Sequence, residues 1–502
     1  MKYISTRKGF EATSAETVFQ GLAPDGGLYV PSKVEKVAGV EKVETLRDAE
    51  ELVMDALFDD LPAEVRTAAV DRLCARFPEG EPIPLVEKDG LQILELFHGK
   101  TGAFKDVALS MLPVFMKHAA NGKRVLILTA TSGDTGSAAM QGFAGVDGTE
   151  IIVFYPATGT SKIQRLQMTT PADKNVHAVG IRGNFDDAQA AVKRIFADKA
   201  IAAEAAAHGI TLSSANSINT GRLVPQIAYY VLAGAKLQSN NRTNEQFDVV
   251  VPSGNFGNIL AAYYAKLLGS PIRRLVVASN VNDVLARFVK TGVYDPGEKF
   301  TVTNSPSMDI RKSSNVERLL WMISGGLDGD IAGACAETAR MMHDLETKGR
   351  YELSEKAKAR LFADFVGGVA TPEETEAEMR RMREACGYLL DPHTAVATAV
   401  AKRLMDARSC APRIEPASQL ASLGGYSLTS GKDSASPLLG DVPVVVAATA
   451  TPYKFPETCR RAFGADVLTD PPPSFRDLET LPIAQKKVCD IDKIDEAVKE
   501  LF

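Results

Sequence analysis

Seven short apolar segments stand out in the hydrophobic pattern of the chain from about residue 90 onward. They are rich in Val and Ile and lack the alternation of apolar and polar residues that marks a strand with one solvated face. Such segments are typical of central strands in a parallel sheet that helices cover on both faces. The segments are LQILELF (91–97), RVLILTA (124–130), EIIVFYP (150–156), VHAVGI (176–181), FDVVVPS (247–253), RRLVVAS (273–279) and PVVVAATA (443–450).

Longer segments with helical patterns separate these predicted strands, as in residues 185–209. The alternation of strands and helices predicts an α/β fold with right-handed crossovers. Residues 1–85 predict mostly helices after a turn-rich beginning, and residues 330–410 are charged and predicted to be helical. Residues 411–440 are rich in Ser, Gly and Pro without clear periodicity, which predicts a surface loop or insertion.

A small-residue turn, SGNFGN (253–258), follows the predicted strand at 247–252 and leads into a predicted helix. Its glycines allow the backbone to approach a ligand closely. Free N–H groups at the start of the helix, together with the helix dipole, favour an anion such as phosphate. For this turn alone, a tight connection without any ligand is an equally good interpretation.

A second turn of this kind, TSGDTG (131–136), follows the predicted strand at 124–130. Its backbone N–H groups and hydroxyls could hold a carboxylate as well as a phosphate. Both turns come at the carboxyl ends of predicted parallel strands, which is where open α/β sheets bind their ligands. The pair of turns therefore indicates a ligand site more strongly than either turn does alone.

Composition argues against several classes of protein. The 502 residues carry a net charge of -6, with 45% hydrophobic and 24% charged residues, as in ordinary globular proteins. No basic stretch offsets the acidic balance, so binding to nucleic acid is not predicted. No apolar run reaches the ~18 residues of a membrane helix, and the N-terminus lacks the apolar core of a signal peptide. The six cysteines form no CxxC pair, which favours reduced thiols in a cytoplasmic protein.

Other catalytic motifs are incomplete or absent. HGKT (98–101) and SGKDS (430–434) resemble the end of a nucleotide-binding phosphate loop, but Leu94 and Tyr426 occupy the place of its first glycine. A nicotinamide-dependent oxidoreductase would need a GxGxxG turn and a ribose-binding acid, and a hydrolase elbow would need GxSxG. None of these occurs, and no HExxH or other dense cluster of ligands predicts a metal site.

Lys105 is unusual because it begins a predicted helix whose following residues are mostly apolar. A cation at a helix N-terminus is disfavoured by roughly 0.3–1 kcal/mol, and apolar neighbours add a desolvation penalty. Both effects lower the pKa of the amine from ~10.4, and a neutral lysine forms Schiff bases with aldehydes. With two predicted anion sites, the cofactor that needs both an amine and a phosphate site is pyridoxal phosphate. The alternative is that Lys105 extends to water from a partly exposed helix.

Several longer motifs occur along the chain. They are ETVFQGLAPDGGLYVP (16–31), ELFHGKTGAFKD (95–106), ILTATSGDTGSA (127–138), LSSANSINTGRLVPQIAYY (212–230), VPSGNFGN (251–258), ASNVNDVLARF (278–288), DPHTAVATAV (391–400) and ATATPYKFPE (448–457). Together they resemble threonine synthases of the longer bacterial and fungal type. The resemblance implies an α/β enzyme of the pyridoxal-phosphate fold type II, with open parallel-sheet subdomains covered by helices on both faces.

The resemblance also implies a division of the chain into three parts. These are a mostly helical N-terminal domain (1–85), a cofactor-binding catalytic core (86–410) and a C-terminal segment (411–502). The core would include a smaller mobile subdomain at about 120–220. The C-terminal segment would contain a flexible insert (411–440) and a strand that returns Thr449 to the active site.

By resemblance, Lys105 would be the catalytic Schiff-base lysine. The cofactor phosphate would be held by Gly254, Asn255, Phe256, Gly257 and Asn258, and Thr449 would meet the pyridine nitrogen. Asp134 would line the cofactor, with Ser132, Gly133 and Thr135 binding the substrate carboxylate. Lys162, Asn219 and Arg222 are candidates for binding a substrate phosphate, with surface charge or helix capping as their alternative roles.

The implied reaction converts O-phospho-L-homoserine and water to L-threonine and phosphate with pyridoxal 5'-phosphate as cofactor. Long-type threonine synthases are often monomers, which favours a monomer here. The alternatives are another enzyme of the same fold type, such as a threonine or serine dehydratase, and an inactive relative that serves as a binding protein. Lys100, Gly102 and Thr451 depart from the residues usual in the family, which leaves their effect on the substrate open.

Overall fold

The computed structural model describes residues 1–77, 80–239, 246–410, 442–464 and 466–502. The predicted insert at 411–440 lies outside the described residues. The strands are β1 (Tyr3–Ser5), β2 (Glu11–Ala12), β3 (Tyr29–Pro31), β4 (Leu85–Lys88), β5 (Leu91–Glu95), β6 (Arg124–Ala130), β7 (Thr149–Pro156), β8 (Val176–Arg182), β9 (Ile210–Ser214), β10 (Phe247–Pro252), β11 (Ile272–Ser279), β12 (Val293–Tyr294), β13 (Tyr351–Glu352), β14 (Phe365–Val369), β15 (Val444–Ala448) and β16 (Lys487–Asp490).

Helices connect most of these strands. They are α1 (Ser14–Gln20), α2 (Leu46–Leu57), α3 (Ala63–Cys74), α4 (Lys105–Ala120), α5 (Asp134–Phe143), α6 (Lys162–Thr169), α7 (Phe185–Ala197), α8 (Lys199–Ala207), α9 (Thr220–Leu223), α10 (Pro225–Ser239), α11 (Gly257–Leu268), α12 (Val284–Thr291), α13 (Val316–Ile323), α14 (Ile331–Lys348), α15 (Glu355–Asp364), α16 (Pro372–Cys386), α17 (Pro392–Cys410), α18 (Pro456–Phe463), α19 (Pro473–Arg476) and α20 (Ile494–Lys499). No helix within the described ranges is long and apolar enough to cross a membrane.

Two sheets organise the fold, and they confirm the predicted α/β class. The larger sheet has the order β14-β11-β10-β15-β5-β4, in which β4 alone runs antiparallel to its neighbour. The smaller sheet, β16-β8-β7-β6-β9, is parallel throughout. All seven apolar segments form strands of these sheets, as predicted.

Burial on both faces explains why the central strands are apolar throughout. Along β10, Val249 and Val251 belong to one hydrophobic core, while Val250 belongs to the core on the opposite face. Successive side chains of a strand point to opposite faces, so a sheet with helices on both sides needs an apolar residue at every position.

The prediction of a helical segment at 330–410 was wrong at β14, an edge strand of the larger sheet. Its two glycines weaken the strand pattern in the sequence. In the fold they are required, because a Cβ on Gly367 would approach the Ala286 oxygen to 2.6 Å and one on Gly368 would approach Val400 to 2.3 Å. The predicted helical segment at 185–209 is also divided, because Asp198 caps a new helix, α8, with its side chain.

The N-terminal region combines a small antiparallel sheet, β2-β1-β3, with helices that pack against α4 and α10. The C-terminal region connects both large sheets, because β15 pairs within the larger sheet and β16 pairs with β8 of the smaller sheet. The predicted domain boundaries near residues 85 and 410 stay predictions.

Gly142 sets the distance between α4 and α5, the helices that begin at Lys105 and Asp134. A Cβ at Gly142 would lie 2.3 Å from the backbone oxygen of Leu109 on α4. We expect Gly142→Ala to lower the free energy of unfolding by about 1–3 kcal/mol, because overpacking forces two backbones apart. Denaturant unfolding measures this change. The neighbouring variant Gln141→Ala is the control, and equal stability of the two variants would contradict the prediction.

Candidate active site

A cavity lies at the carboxyl ends of β6, β10 and β15, and residues that follow strands of both large sheets line it. Most of the site residues predicted from the sequence line it. These are Lys105, Ser132, Asp134, Thr135, Arg222, Gly254, Asn255, Phe256, Gly257, Asn258 and Thr449. Ligand binding at the carboxyl ends of parallel strands is the expected arrangement for sheets of this kind.

Lys105 is the first residue of α4, and only 13% of its side chain is exposed. Its Nζ lies 3.6 Å from Oδ2 of Asp134 and 5.2 Å from the centre of the Phe104 ring. Burial lowers the pKa of Lys105 to about 8; Asp134 opposes the change, while the charges of Arg222 and Lys454 add to it. The amine therefore loses its proton at a much lower pH than an ordinary lysine does.

Asp134 is buried at the first position of α5 and is surrounded by donors. Lys454 lies 3.0 Å from its Oδ1, Gln164 donates to the same oxygen at 2.8 Å, and the Ser307 hydroxyl donates to Oδ2 at 3.2 Å. Burial alone would raise the pKa of Asp134, but the charges of Lys454 and Lys105 outweigh it and hold the pKa far below its usual range. Asp134 is therefore a carboxylate.

The turn at 253–258 has the geometry of an anion site. Phe256 adopts left-handed backbone angles (φ 63°) just before Gly257, the first residue of α11. The side chain of Asn258 is buried, and its Oδ1 accepts a hydrogen bond from the Tyr230 hydroxyl. Its Nδ2 has no hydrogen-bond partner in the described part of the chain. An unpaired buried donor beside a helix N-terminus fits the phosphate of a cofactor.

Contacts from the segment before α13 fix the backbone of this turn. Ser313 Oγ donates to the carbonyl of Gly254 at 2.9 Å, and Asn315 Nδ2 donates to the carbonyl of Asn255 at 2.9 Å. A Cβ on Gly254 would approach the carbonyl oxygen of Ser307 to 2.5 Å. The position of the turn is therefore constrained at both carbonyls and at Gly254.

Arg222 brings a second unpaired donor to the cavity, and this one is cationic. Its side chain is 1% exposed, and Nη1 donates to the carbonyl of Ala215 at 2.6 Å. Its Nε has no hydrogen-bond partner, and no carboxylate of the described ranges lies within ion-pair distance of the guanidinium. Burial lowers the pKa of Arg222 to about 10. A buried guanidinium without an acidic partner fits a bound anion.

Thr449 follows directly after β15 and reaches the cavity beside the start of α4. Its carbonyl accepts a hydrogen bond from the N–H of Phe104 at 2.9 Å, and Ala450 bridges to Ala103. The backbone of the 449–450 segment therefore positions the residue that precedes Lys105.

Three predicted residues do not reach the cavity lining. Gly133 packs against Gln164, and its φ of 144° suits glycine. Lys162 is 49% exposed and pairs with Glu479 at 2.6 Å. Asn219 caps α9 and donates to the carbonyls of Val18 and Ser214, so its side chain is fully used within the fold.

The sequence analysis assigned no role to Lys454 and His393, although both lie in motifs quoted there. Lys454 is fully buried against Asp134. His393 lines the cavity, and its Nε2 accepts a hydrogen bond from the N–H of Ser307 at 3.0 Å. Nδ1 therefore carries the proton that it shares with Asp391 at 2.9 Å. The positions of Lys454 and His393 within those motifs could have identified both residues. The scatter of the six histidines along the sequence, however, gave no reason to single out one of them.

Two of the unusual residues, Gly102 and Thr451, are neighbours in the structure. Gly102 has a left-handed backbone (φ 68°), and a Cβ there would lie 2.5 Å from Cγ2 of Thr451. The N–H of Thr451 donates to the carbonyl of Gly102 at 2.9 Å. Glycine at position 102 therefore leaves room for the residue at 451, while Lys100 is exposed.

The fold and the cavity define the class of pyridoxal-phosphate-dependent enzymes, and family comparisons agree. The family model "Pyridoxal-phosphate dependent enzyme" matches residues 81–363, "Threonine synthase N terminus" matches residues 2–65, and "Threonine synthase, C-terminal" matches residues 431–501. The third match includes residues 431–440 of the predicted insert.

Comparison with individual relatives identifies the family within this class. Threonine synthase of Saccharomyces cerevisiae is 36% identical over 80% of this chain and 83% of its own length. Threonine synthase of Pseudomonas aeruginosa is 34% identical over 92% of this chain and 90% of its own length. The crystal structure of cofactor-bound threonine synthase from Brucella melitensis superposes with a TM-score of 0.83 at 34% identity, covering 100% of this chain and 99% of that one. The chain belongs to the threonine synthase family.

The pKa of about 8 for Lys105, against 10.5 for an ordinary lysine, predicts how this amine titrates. Below pH 8 the amine is mostly protonated, and its neutral fraction should rise as the pH increases through 8. Trace acetylation of the full chain without cofactor, followed by peptide mass spectrometry, measures the midpoint, with exposed lysines as the internal reference. A midpoint near 10 for Lys105 would contradict the prediction.

Proposed function

We propose that the chain catalyses the threonine synthase reaction, in which O-phospho-L-homoserine and water give L-threonine and phosphate. The observation that carries this proposal is that two buried, unpaired donors line the same cavity as Lys105. Asn258 and the start of α11 suit the cofactor phosphate, and Arg222 suits a second phosphate on the substrate. A substrate without a phosphate would leave the buried guanidinium unpaired.

Pyridoxal 5'-phosphate fits the residues that line the cavity. Lys105 would bind its aldehyde, residues 254–258 its phosphate and Thr449 its pyridine nitrogen. When bound, the cofactor supplies a conjugated ring that withdraws electrons from the substrate carbons. A neutral hydroxyl at Thr449 makes that ring less electron-withdrawing than an acidic partner would, which favours elimination over transamination.

The protein residues then bind the substrate and move its protons. Ser132 and Thr135 bind the substrate carboxylate, and Arg222 binds the substrate phosphate. Lys105 would be free once the substrate amine has taken its place on the cofactor. It would accept the proton from the α-carbon, give that proton up, and then accept one from the β-carbon. A pKa of about 8 suits an amine that must accept and return protons near neutral pH. Phosphate would leave from the γ-carbon, the hydroxyl of water would add at the β-carbon, and protons returned to the γ- and α-carbons would complete threonine.

Among the candidates for the substrate phosphate, Arg222 is preferred to Lys162 and Asn219. The ammonium of Lys162 is paired with Glu479 at 2.6 Å, and the Asn219 side chain donates to two backbone carbonyls. Arg222 has a free Nε within the described part of the protein and lines the cavity.

Water must enter only after phosphate has left, so the smaller subdomain at about 120–220 is proposed to close over the substrate. Phe185 at the start of α7 lines the cavity and belongs to this part of the chain. Cytoplasmic location and a monomeric state complete the proposal, as the sequence favours both.

A threonine or serine dehydratase is the alternative of the same fold type. The unpaired guanidinium of Arg222 favours a phosphorylated substrate over a free hydroxyl amino acid. The two activities differ in their product, because only the proposed reaction releases phosphate from O-phospho-L-homoserine together with threonine.

Cofactor attachment at Lys105 tests the reactive lysine. The purified protein with cofactor should be yellow, and borohydride reduction should fix the cofactor on the peptide that contains Lys105. Lys105→Ala should lose threonine formation by roughly 10²–10⁴-fold or more, because the base and the attachment point are removed together. Lys100→Ala, at an exposed lysine of the same segment, is the matched control. Fixation on another peptide, or undiminished activity of Lys105→Ala, would refute the assignment.

Arg222→Met tests the second phosphate site. Removing a charged hydrogen-bond donor costs about 1.5–3 kcal/mol, so kcat/KM for O-phospho-L-homoserine should fall roughly 10–150-fold. The yellow colour of bound cofactor should persist, because Arg222 is not assigned to the cofactor. Lys162→Met serves as the comparison that separates the two cationic candidates. The proposal fails if Lys162→Met loses activity and Arg222→Met does not.

A further inference from the structure

Two lysines flank a single buried carboxylate in this site. Lys454 lies 3.0 Å from Oδ1 of Asp134, and Lys105 lies 3.6 Å from Oδ2. Only Lys105 lines the cavity; Lys454 is 0% exposed and lies behind Asp134. The two amines therefore share one counter-ion but differ in their access to a ligand.

The contacts of Lys454 hold its side chain beside the buried carboxylate. Its Nζ donates to the carbonyl of Thr101 at 2.8 Å and to Oε1 of Gln167 at 2.9 Å, and it forms an ion pair with Oδ1 of Asp134 at 3.0 Å. A buried carboxylate is strongly destabilised when its cationic partner is removed. Lys454 is therefore placed as the ion-pair partner of Asp134.

Lys105 has a much poorer set of contacts for a positive charge. Its distance of 3.6 Å to Asp134 exceeds the usual range of a charge-assisted hydrogen bond. The charged groups that face it are Asp134 from α5, Arg222 from α9 and Lys454 from the segment after β15, so two cations oppose one anion. The surroundings therefore stabilise the positive charge of Lys105 less well than water would.

We propose that Lys454 is a positioning residue whose ammonium is the permanent counter-ion of Asp134, which leaves the amine of Lys105 free to react with an aldehyde. Without Lys454, the negative charge of Asp134 would be balanced by a proton on Lys105. This inference rests on Lys105 being the reactive amine of the proposed function.

Lys454 also has a structural role, from which the electrostatic role must be separated. Through Thr101 and Gln167 it connects the segment after β15 to the turn before α4 and to α6. Loss of these contacts alone could loosen the site and lower activity. A loosened site would not produce a rise in the titration midpoint of Lys105 that depends on the charge of Asp134. Removing that charge would therefore not reverse the effect of a purely structural change.

The test uses trace acetylation of Lys105 as a function of pH in the full chain without cofactor. Lys454→Met should raise the midpoint for Lys105 by at least one unit, leaving about tenfold less neutral amine at pH 7, because an unscreened carboxylate nearby stabilises the ammonium by that order. Lys454→Arg should keep the midpoint, since it keeps the charge. The double variant Lys454→Met with Asp134→Asn should return the midpoint to that of the unmodified chain or lower.

Lys266→Met is the matched control, because Lys266 is also an ammonium with a carboxylate and a carbonyl partner, namely Asp364 at 2.6 Å and Arg273 at 2.7 Å. It should leave the Lys105 midpoint unchanged. The inference is overturned if folded Lys454→Met keeps the original Lys105 midpoint. It is also overturned if the Lys105 midpoint of the double variant is as high as that of Lys454→Met. If Lys454→Met does not fold, the double variant decides, and a midpoint above that of the unmodified chain overturns the inference.

The readout needs neither substrate nor turnover. If the protein did not form threonine, the proposed function would be refuted. The titration of Lys105 would still test the role of Lys454. An unchanged titration in Lys454→Met would refute the role of Lys454 and leave the proposed function intact.

Discussion

The buried carboxylate of Asp134 is the group on which the arrangement of this site depends. Its contacts come from α4, α6, the Pro306–Met308 turn and the segment after β15, which are far apart in the sequence. A buried charge costs several kcal/mol when a partner is missing. All four segments must therefore be in position together, so the final packing of the fold and the assembly of the site are one event.

In contrast to the paired carboxylate of Asp134, the two proposed anion sites contain buried groups without partners. Nδ2 of Asn258 and Nε of Arg222 are buried without partners among the described residues, although a buried unpaired donor costs about 1–3 kcal/mol. The left-handed backbone of Phe256 adds local strain beside one of them. The protein thus gives up stability at the positions where anionic ligands would restore it, while the neighbouring carboxylate is fully paired. Binding of the cofactor should stabilise the fold for this reason.

Sequence reasoning succeeded where the signal was local. The apolar segments predicted the sheet strands, and the small-residue turns after β6 and β10 predicted the cavity lining. It failed where the deciding contact was distant: Lys162 resembles a phosphate ligand until its partner Glu479 is known, and Lys454 has no evident role until Asp134 is beside it. The glycines of β14 were misleading, because they reflect close packing of α12 and α17 that only the fold reveals.

The C-terminal region contacts both large sheets near the cavity. Thr449 and Lys454 follow β15 of the larger sheet, whereas Phe475 and Leu478 pack against Ile163 and Leu166 of α6, and β16 extends the smaller sheet. Any movement of the smaller sheet toward the cavity must carry α6 and the end of the chain with it. Gln164 of α6 also donates a hydrogen bond to Asp134. A movement of α6 would therefore change a contact of the carboxylate that lies between the two lysines. In the proposed mechanism, the electrostatics of Lys105 and the exclusion of water would therefore depend on the same few contacts.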